Sequence, residues 1–89
     1  MKITDSKSLG QSIRARRKEL GYTQKYLSEY TGLSITFISQ LERGKPTAEI
    51  EKTIQLIHIL GMDLMVEKCN SDINNSEFLS YFIITWENL

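Results

Sequence analysis

The sequence predicts a mainly α-helical fold in which four helices are followed by one short strand and an apolar C-terminal tail. Through the first 61 residues, apolar side chains recur at intervals of three or four, which is the spacing of one helix face. A glycine follows each of the four apolar segments, and glycine is common just beyond the end of a helix. Residues 62–68 change to a period of two, which is typical of a strand.

The length and composition argue against an enzyme, a metalloprotein or a membrane protein. A chain of 89 residues makes one domain with a small core. Cys69 cannot form an internal disulfide, and with the single His58 it provides no zinc ligand set. The longest apolar runs fall short of the roughly 20 residues of a membrane span, and the N-terminus lacks the apolar core of a signal peptide. We expect a cytoplasmic, non-enzymatic protein without a cofactor.

The charge is distributed unevenly along the chain. Residues 1–45 contain nine Lys and Arg against four Asp and Glu, a net charge of +5, whereas residues 46–89 contain two against seven, a net charge of −5. A basic half favours a polyanionic partner such as nucleic acid, although ordinary surface charge would also explain it.

Helix one is predicted in SKSLGQSIRARRKELG. Ser6 or Ser8 can cap its start, and Gly21 can end it. Its apolar stripe consists of Leu9, Ile13 and Leu20. Arg17 falls on the same stripe, four residues after Ile13, so its charge needs a partner.

Helices two and three are predicted to be short and close together. Helix two begins after Thr23 and stops at Gly32, whereas helix three begins after Ser34 and leaves through Gly44. Helix four follows from Thr47 to the glycine at position 61. Its apolar face consists of Ile50, Ile54, Leu56, Ile57 and Leu60.

Helices two and three have the pattern of a helix-turn-helix, in which one helix braces a second that lies in the DNA major groove. The residues that fit a crossed helix pair are Leu27, Ser28, Gly32, Leu33, Ile38 and Leu41. Together with the flanking LGQSIRARRKELGYTQ and ERGKPT, this segment resembles the lambda-repressor-like (Cro/Xre) family of DNA-binding domains over residues 8–61. The resemblance implies that residues 1–61 form a helix-turn-helix domain that binds double-stranded DNA.

The resemblance also implies a structural ion pair between a basic residue late in helix one and a glutamate at the end of helix three, here Arg17 and Glu42. The residues agree, since Glu42 lies four positions beyond the apolar Ile38 and both charges point inward. We expect a bidentate pair rather than a phosphate contact by Arg17.

For DNA, the resemblance implies two groups of contacts. The residues expected at the phosphates are Gln24, Lys25, Ser34, Arg43 and Lys45. The residues expected at the bases are Ile35, Thr36, Ser39 and Gln40. Gln40 could make a bidentate pair with adenine, and Ile35 could contact a thymine methyl. The alternative for the polar residues is a solvated surface, and Phe37 could pack inward or against the DNA backbone.

Residues 62–69 are predicted to be a dimerisation strand. The helices supply no strand to pair with it, so the same segment of a second copy is the expected partner, although a hairpin with residues 80–86 is an alternative. The side chains expected at this interface are Met62, Leu64 and Val66. A homodimer would present two recognition helices to a palindromic operator.

A strand after helix four resembles the HipB-type antitoxins of the same family. This resemblance implies a repressor of its own operon that also binds a HipA-like kinase toxin; the alternative is a stand-alone dimeric regulator. The apolar tail within residues 70–89 could contact such a partner or fold back on its own domain, as a helix or a strand. The candidate contact residues are Phe78, Phe82 and Trp86.

Overall fold

The part of the chain that the structure describes folds as four α-helices with a three-stranded antiparallel sheet. The computed structural model describes residues 2–69 and 80–85. Its elements in chain order are β1 (Lys2–Ile3), α1 (Ser6–Glu19), α2 (Gln24–Thr31), α3 (Ile35–Glu42), α4 (Ile50–Ile59), β2 (Asp63–Lys68) and β3 (Ser80–Thr85). The mainly helical fold class is therefore confirmed. None of the described helices is long and apolar enough to cross a membrane.

The two short helices, α2 and α3, begin at the positions predicted from their capping hydroxyl residues. Thr23 caps α2 by accepting the backbone N–H of Tyr26, and Ser34 caps α3 by accepting that of Phe37. Gly32 ends α2 in the left-handed conformation, with φ of 81°, which a residue with a Cβ adopts only with strain.

The capping residue of α1 and the start of α4 differ from the prediction. Asp5, rather than Ser6 or Ser8, caps α1 in a reciprocal capping box, where Ser8 is the third helical residue. The Ser8 backbone N–H holds the pKa of the Asp5 carboxyl below its usual value. α4 begins at Ile50 and not at Thr47, and its N-cap Glu49 makes no side-chain capping bond.

One hydrophobic core joins the helices to the sheet. Its buried members are Ile3, Ile13, Leu27, Leu33, Ile38, Leu41, Leu56, Ile57, Leu60 and Met62. Leu9, Leu20, Phe37 and Leu64 pack against it while only partly buried, so Phe37 takes the inward alternative. Ile50, predicted on the apolar face of α4, is 68% exposed in the first turn of the helix, where it lines an open cleft beside Ile3 and Ile57.

The predicted strand has its partner in the same chain. β2 pairs antiparallel with β3, with Val66 opposite Phe82, and β3 also pairs with β1. The hairpin alternative is thus the arrangement found for one edge of β2, whereas pairing of this strand with a second copy stays a prediction. Met62, expected at a dimer interface, precedes β2 and is 1% exposed in the core of its own chain.

Candidate nucleic-acid interface

The turn between α2 and α3 is fixed by hydroxyl side chains as well as by glycine. The Ser28 hydroxyl donates to the Leu33 carbonyl at 2.6 Å, and the Leu33 N–H donates to the Thr31 hydroxyl at 3.1 Å. With Gly32 left-handed between them, these bonds occupy backbone groups that the helices leave unpaired. The angle at which α3 leaves α2 is therefore held by local hydrogen bonds.

A buried ion pair ties the end of α3 to α1. Arg17 Nε donates to Glu42 Oε2 at 2.7 Å, and Arg17 Nη2 donates to Glu42 Oε1 at 2.9 Å. The hydrogen bond to Glu42 raises the pKa of Arg17 above its usual value, so the guanidinium stays charged. Arg17 Nη1 also donates to the Tyr22 carbonyl, and Gln24 Nε2 donates to Glu42 Oε1 at 3.0 Å. The network thus joins α1, α2 and α3.

The helix α1 approaches the end of α3 closely enough to require glycine. A Cβ placed on Gly10 would lie 2.3 Å from the Leu41 carbonyl oxygen and 2.7 Å from that of Glu42. A hydrogen bond from the Ser6 hydroxyl to the Gly44 carbonyl, 2.9 Å long, holds the chain just after α3 against the same helix. The position of α3 is therefore defined by backbone contact.

The opposite sides of α3 differ in their exposure. Its inner face consists of Ile38, Leu41 and Glu42, all buried. Its outer face consists of Ile35, Thr36, Ser39, Gln40 and Arg43, all exposed or half-buried. Positions 36, 39, 40 and 43 are three and four apart and so lie side by side on the helix surface. This outer face presents hydroxyl, amide and guanidinium groups of the kind that contact base edges and phosphates.

Comparisons with known proteins identify a helix-turn-helix in the segment that contains α2 and α3. A helix-turn-helix family model matches residues 13–65, which include α2, the turn and α3. The chain belongs to the helix-turn-helix family of DNA-binding regulators. A curated relative, an uncharacterized HTH-type transcriptional regulator (y4mF) of Sinorhizobium fredii (strain NBRC 101917 / NGR234), is 36% identical over 63 residues, which cover 71% of this chain and 83% of that protein. No solved structure gives a significant match.

In this helix-turn-helix chain, two expected phosphate contacts already have partners. Gln24 is half-buried and its side chain is bonded to Glu42, whereas the Ser34 hydroxyl accepts the Phe37 N–H at 3.0 Å. Each group keeps capacity for one more bond, since an amide nitrogen has two hydrogens and a hydroxyl can also donate. Lys25, in the first turn of α2, and Arg43, at the C-cap of α3, are exposed.

Two arrangements were not predicted from the sequence. Arg16 donates to the Leu60 carbonyl at 2.8 Å and pairs with Glu19 at 3.0 Å, so it ties α1 to the end of α4. Lys45, expected only at a phosphate, donates to the Gln40 side-chain oxygen at 3.0 Å. The glycine after α3 was the only sequence sign of this contact, because it allows the chain to turn back.

The tail contributes a strand but no described interface residue. Phe82 lies in β3, at the register position between Ile3 and Val66. Phe78 and Trp86 lie outside the described residues. The sequence left helix and strand open for the tail. In the part of the chain that the structure describes, Ser80–Thr85 form a strand.

Proposed function

We propose that this chain is a sequence-specific transcriptional repressor that places α3 in the major groove of a palindromic operator. The supporting observation is the contrast between the two faces of α3: the inner face is anchored by the buried pair of Arg17 and Glu42, and the outer face presents polar groups to solvent. A helix braced in this way can meet base edges without losing its position.

The test begins with selection of binding sites from a randomised DNA duplex library. Gln40→Ala should then weaken binding to the selected duplex by about 1–3 kcal/mol and leave binding to a scrambled duplex nearly unchanged, because a base contact discriminates sequence. Gln55→Ala is the matched control, since Gln55 is an exposed glutamine on α4. Equal weakening on both duplexes would show that Gln40 does not contact bases.

Dimerisation through β2 forms the second part of the proposal. β2 has β3 on one edge, and among residues 2–69 and 80–85 no strand pairs with its other edge. Val66, within β2, is 60% exposed, so apolar surface also remains on this strand. A second copy that pairs along this edge would cover both the unpaired strand edge and the exposed apolar surface. The dimer would present two recognition helices related by a two-fold axis.

Val66→Asp tests the dimer, since a buried charge at the pairing strand is costly without a partner. We expect monomers by multi-angle light scattering for Val66→Asp and dimers for Gln55→Asp, which adds the same charge on the exposed side of α4. A dimer that persists in Val66→Asp would refute pairing along β2.

A role as the antitoxin of a HipA-like kinase toxin is the more specific proposal. It is supported by the position of β2, which begins four residues after the last residue of α4, where the HipB-type pattern has a strand. The tagged full chain should retain a kinase-like protein from its native cells, identified by mass spectrometry. Recovery of DNA alone would instead support a stand-alone regulator.

The contribution of the tail is best tested with a point variant. Deletion of residues 70–89 would remove β3 and so disturb β2 and β1. Trp86→Ala leaves β3 in place and removes one large aromatic side chain, which is the type of residue that dominates protein interfaces. Loss of the kinase with Trp86→Ala but not with Trp86→Phe would locate a contact in the tail, whereas retention in both would exclude Trp86.

A further inference from the structure

The end of α3 forms a Schellman turn that brings Lys45 back over Gln40. The Lys45 N–H donates to the Gln40 backbone carbonyl at 3.0 Å, and the Gly44 N–H donates to the Leu41 carbonyl at 3.0 Å. Gly44 has φ of 89°, and a Cβ there would lie 2.8 Å from the Lys7 Cα. The turn is thus packed against α1, and the position of Lys45 relative to Gln40 follows from the backbone.

The side chains of the same two residues are also bonded. Lys45 Nζ donates to Gln40 Oε1 at 3.0 Å. In the described residues, the Gln40 amide nitrogen has no bonding partner, so its two hydrogens remain available. The ammonium is a donor only, and an amide donates through nitrogen and accepts through oxygen. The Gln40 oxygen keeps a second lone pair, but the ammonium lies beside it, so the donors of the amide nitrogen and of the ammonium dominate what this pair presents.

This arrangement bears on the base that Gln40 contacts. Reading of adenine by glutamine uses both halves of the amide, since the oxygen accepts from adenine N6 and the nitrogen donates to N7. The ammonium beside Oε1 would face the N6 donor of adenine with like polarity. Guanine offers two acceptors, O6 and N7, on its major-groove edge, and these match one amide donor and one ammonium donor.

We propose that Gln40 and Lys45 act as one donor pair that selects guanine, with Lys45 as a specificity-determining residue rather than a phosphate contact alone. The proposal rests on the proposed placement of α3 in the major groove. It replaces the expected pairing of Gln40 with adenine, because that expectation treated Gln40 without its neighbour.

Binding-site selection from a randomised duplex library tests this with four proteins: wild type, Gln40→Ala, Lys45→Met and Lys25→Met. The position of the selected duplex at which Gln40→Ala no longer prefers one base is the position that Gln40 contacts. Wild type should select guanine there, and Lys45→Met, which keeps the aliphatic stem, should lower that preference at least fivefold or shift it to adenine. Lys25→Met removes an exposed lysine of α2 that is expected at a phosphate, so it should weaken binding to all sequences and keep the wild-type base preference.

Each of the remaining outcomes refutes one specific claim. Selection of adenine by the wild type, or an unchanged guanine preference in Lys45→Met, would refute the donor pair while leaving DNA recognition by α3 intact. If Gln40→Ala changes no base position, Gln40 is not a base contact and the donor pair fails with it. If the wild type enriches no sequence, the proposed function itself fails.

Discussion

On its inner face, α3 carries a glutamate whose side chain is 3% exposed and accepts from Arg17 and Gln24. On its outer face, Gln40 is half-buried and bonded only to the exposed Lys45 among the residues described. A buried charge without its partners is expensive, whereas a partly exposed amide with an unused donor can take a base edge as a further partner at little cost. Substitutions on the inner face should therefore act on stability, and those on the outer face on recognition.

The largest effect is expected at Glu42. Glu42→Ala leaves the buried guanidinium of Arg17 without its carboxylate, so we expect the free energy of unfolding in urea to fall by about 3–5 kcal/mol. Glu29→Ala, an exposed glutamate on α2, is the control and should change stability little.

A double variant separates the ion pair from the side-chain volume. Arg17→Met with Glu42→Leu removes both charges, and it should recover most of the stability lost in Glu42→Ala, since apolar side chains can replace a buried pair. If Glu42→Ala costs no more than Glu29→Ala, the buried pair does not brace α3.

The second effect concerns the backbone contact between α1 and the inner face. Gly10→Ala places a Cβ 2.3 Å from the Leu41 carbonyl oxygen, so the helices must separate and stability should fall by about 1–3 kcal/mol. Helix propensity alone predicts the opposite sign, a gain approaching 1 kcal/mol. Thermal unfolding of Gly10→Ala beside Gln11→Ala, an exposed neighbour, distinguishes the two, and a higher melting temperature for Gly10→Ala would contradict the close approach.

Features set by local chemistry were predicted from the sequence. Thr23 and Ser34 cap their helices because a hydroxyl beside free N–H groups needs no distant partner. The cap of α1 was assigned to the wrong residue because three neighbouring polar residues could each serve, and the carboxylate of Asp5 is the one that accepts. Arg17 and Glu42 could be matched because each interrupts an apolar stripe.

Features that depend on distant pairing were missed. β1 has two residues, too few for an alternation pattern, and it is a strand only because β3 lies beside it. The bond from Arg16 to the Leu60 carbonyl joins positions 44 apart in sequence, and no local pattern indicates it. The contact of Lys45 with Gln40 required the geometry of the turn as well as the presence of its glycine.

Ser34 caps α3 and is also expected to contact a DNA phosphate. Its variants therefore test whether stability and DNA affinity change separately. Ser34→Ala removes the cap of α3 and should cost about 1 kcal/mol of stability. Ser34→Asp keeps a capping acceptor and places a negative charge at a helix N-terminus, where it is favourable, so it should be at least as stable as wild type. The same charge is unfavourable beside a DNA phosphate, and DNA affinity should be lower for Ser34→Asp than for Ser34→Ala. Equal affinities would remove Ser34 from the phosphate contacts.

The smallest expected effect is at Ile35, which is 45% exposed at the start of the outer face. If its side chain covers a thymine methyl, Ile35→Ala should weaken binding to the selected duplex by about 0.8 kcal/mol with little change in melting temperature. Replacement of each thymine in turn by uracil removes the same methyl from the DNA. At the contacted position, uracil should weaken the wild type but not Ile35→Ala, because the variant has already lost the contact. If replacement by uracil changes the DNA affinity of both proteins equally at every position, Ile35 contacts no thymine methyl and does not take part in base selection.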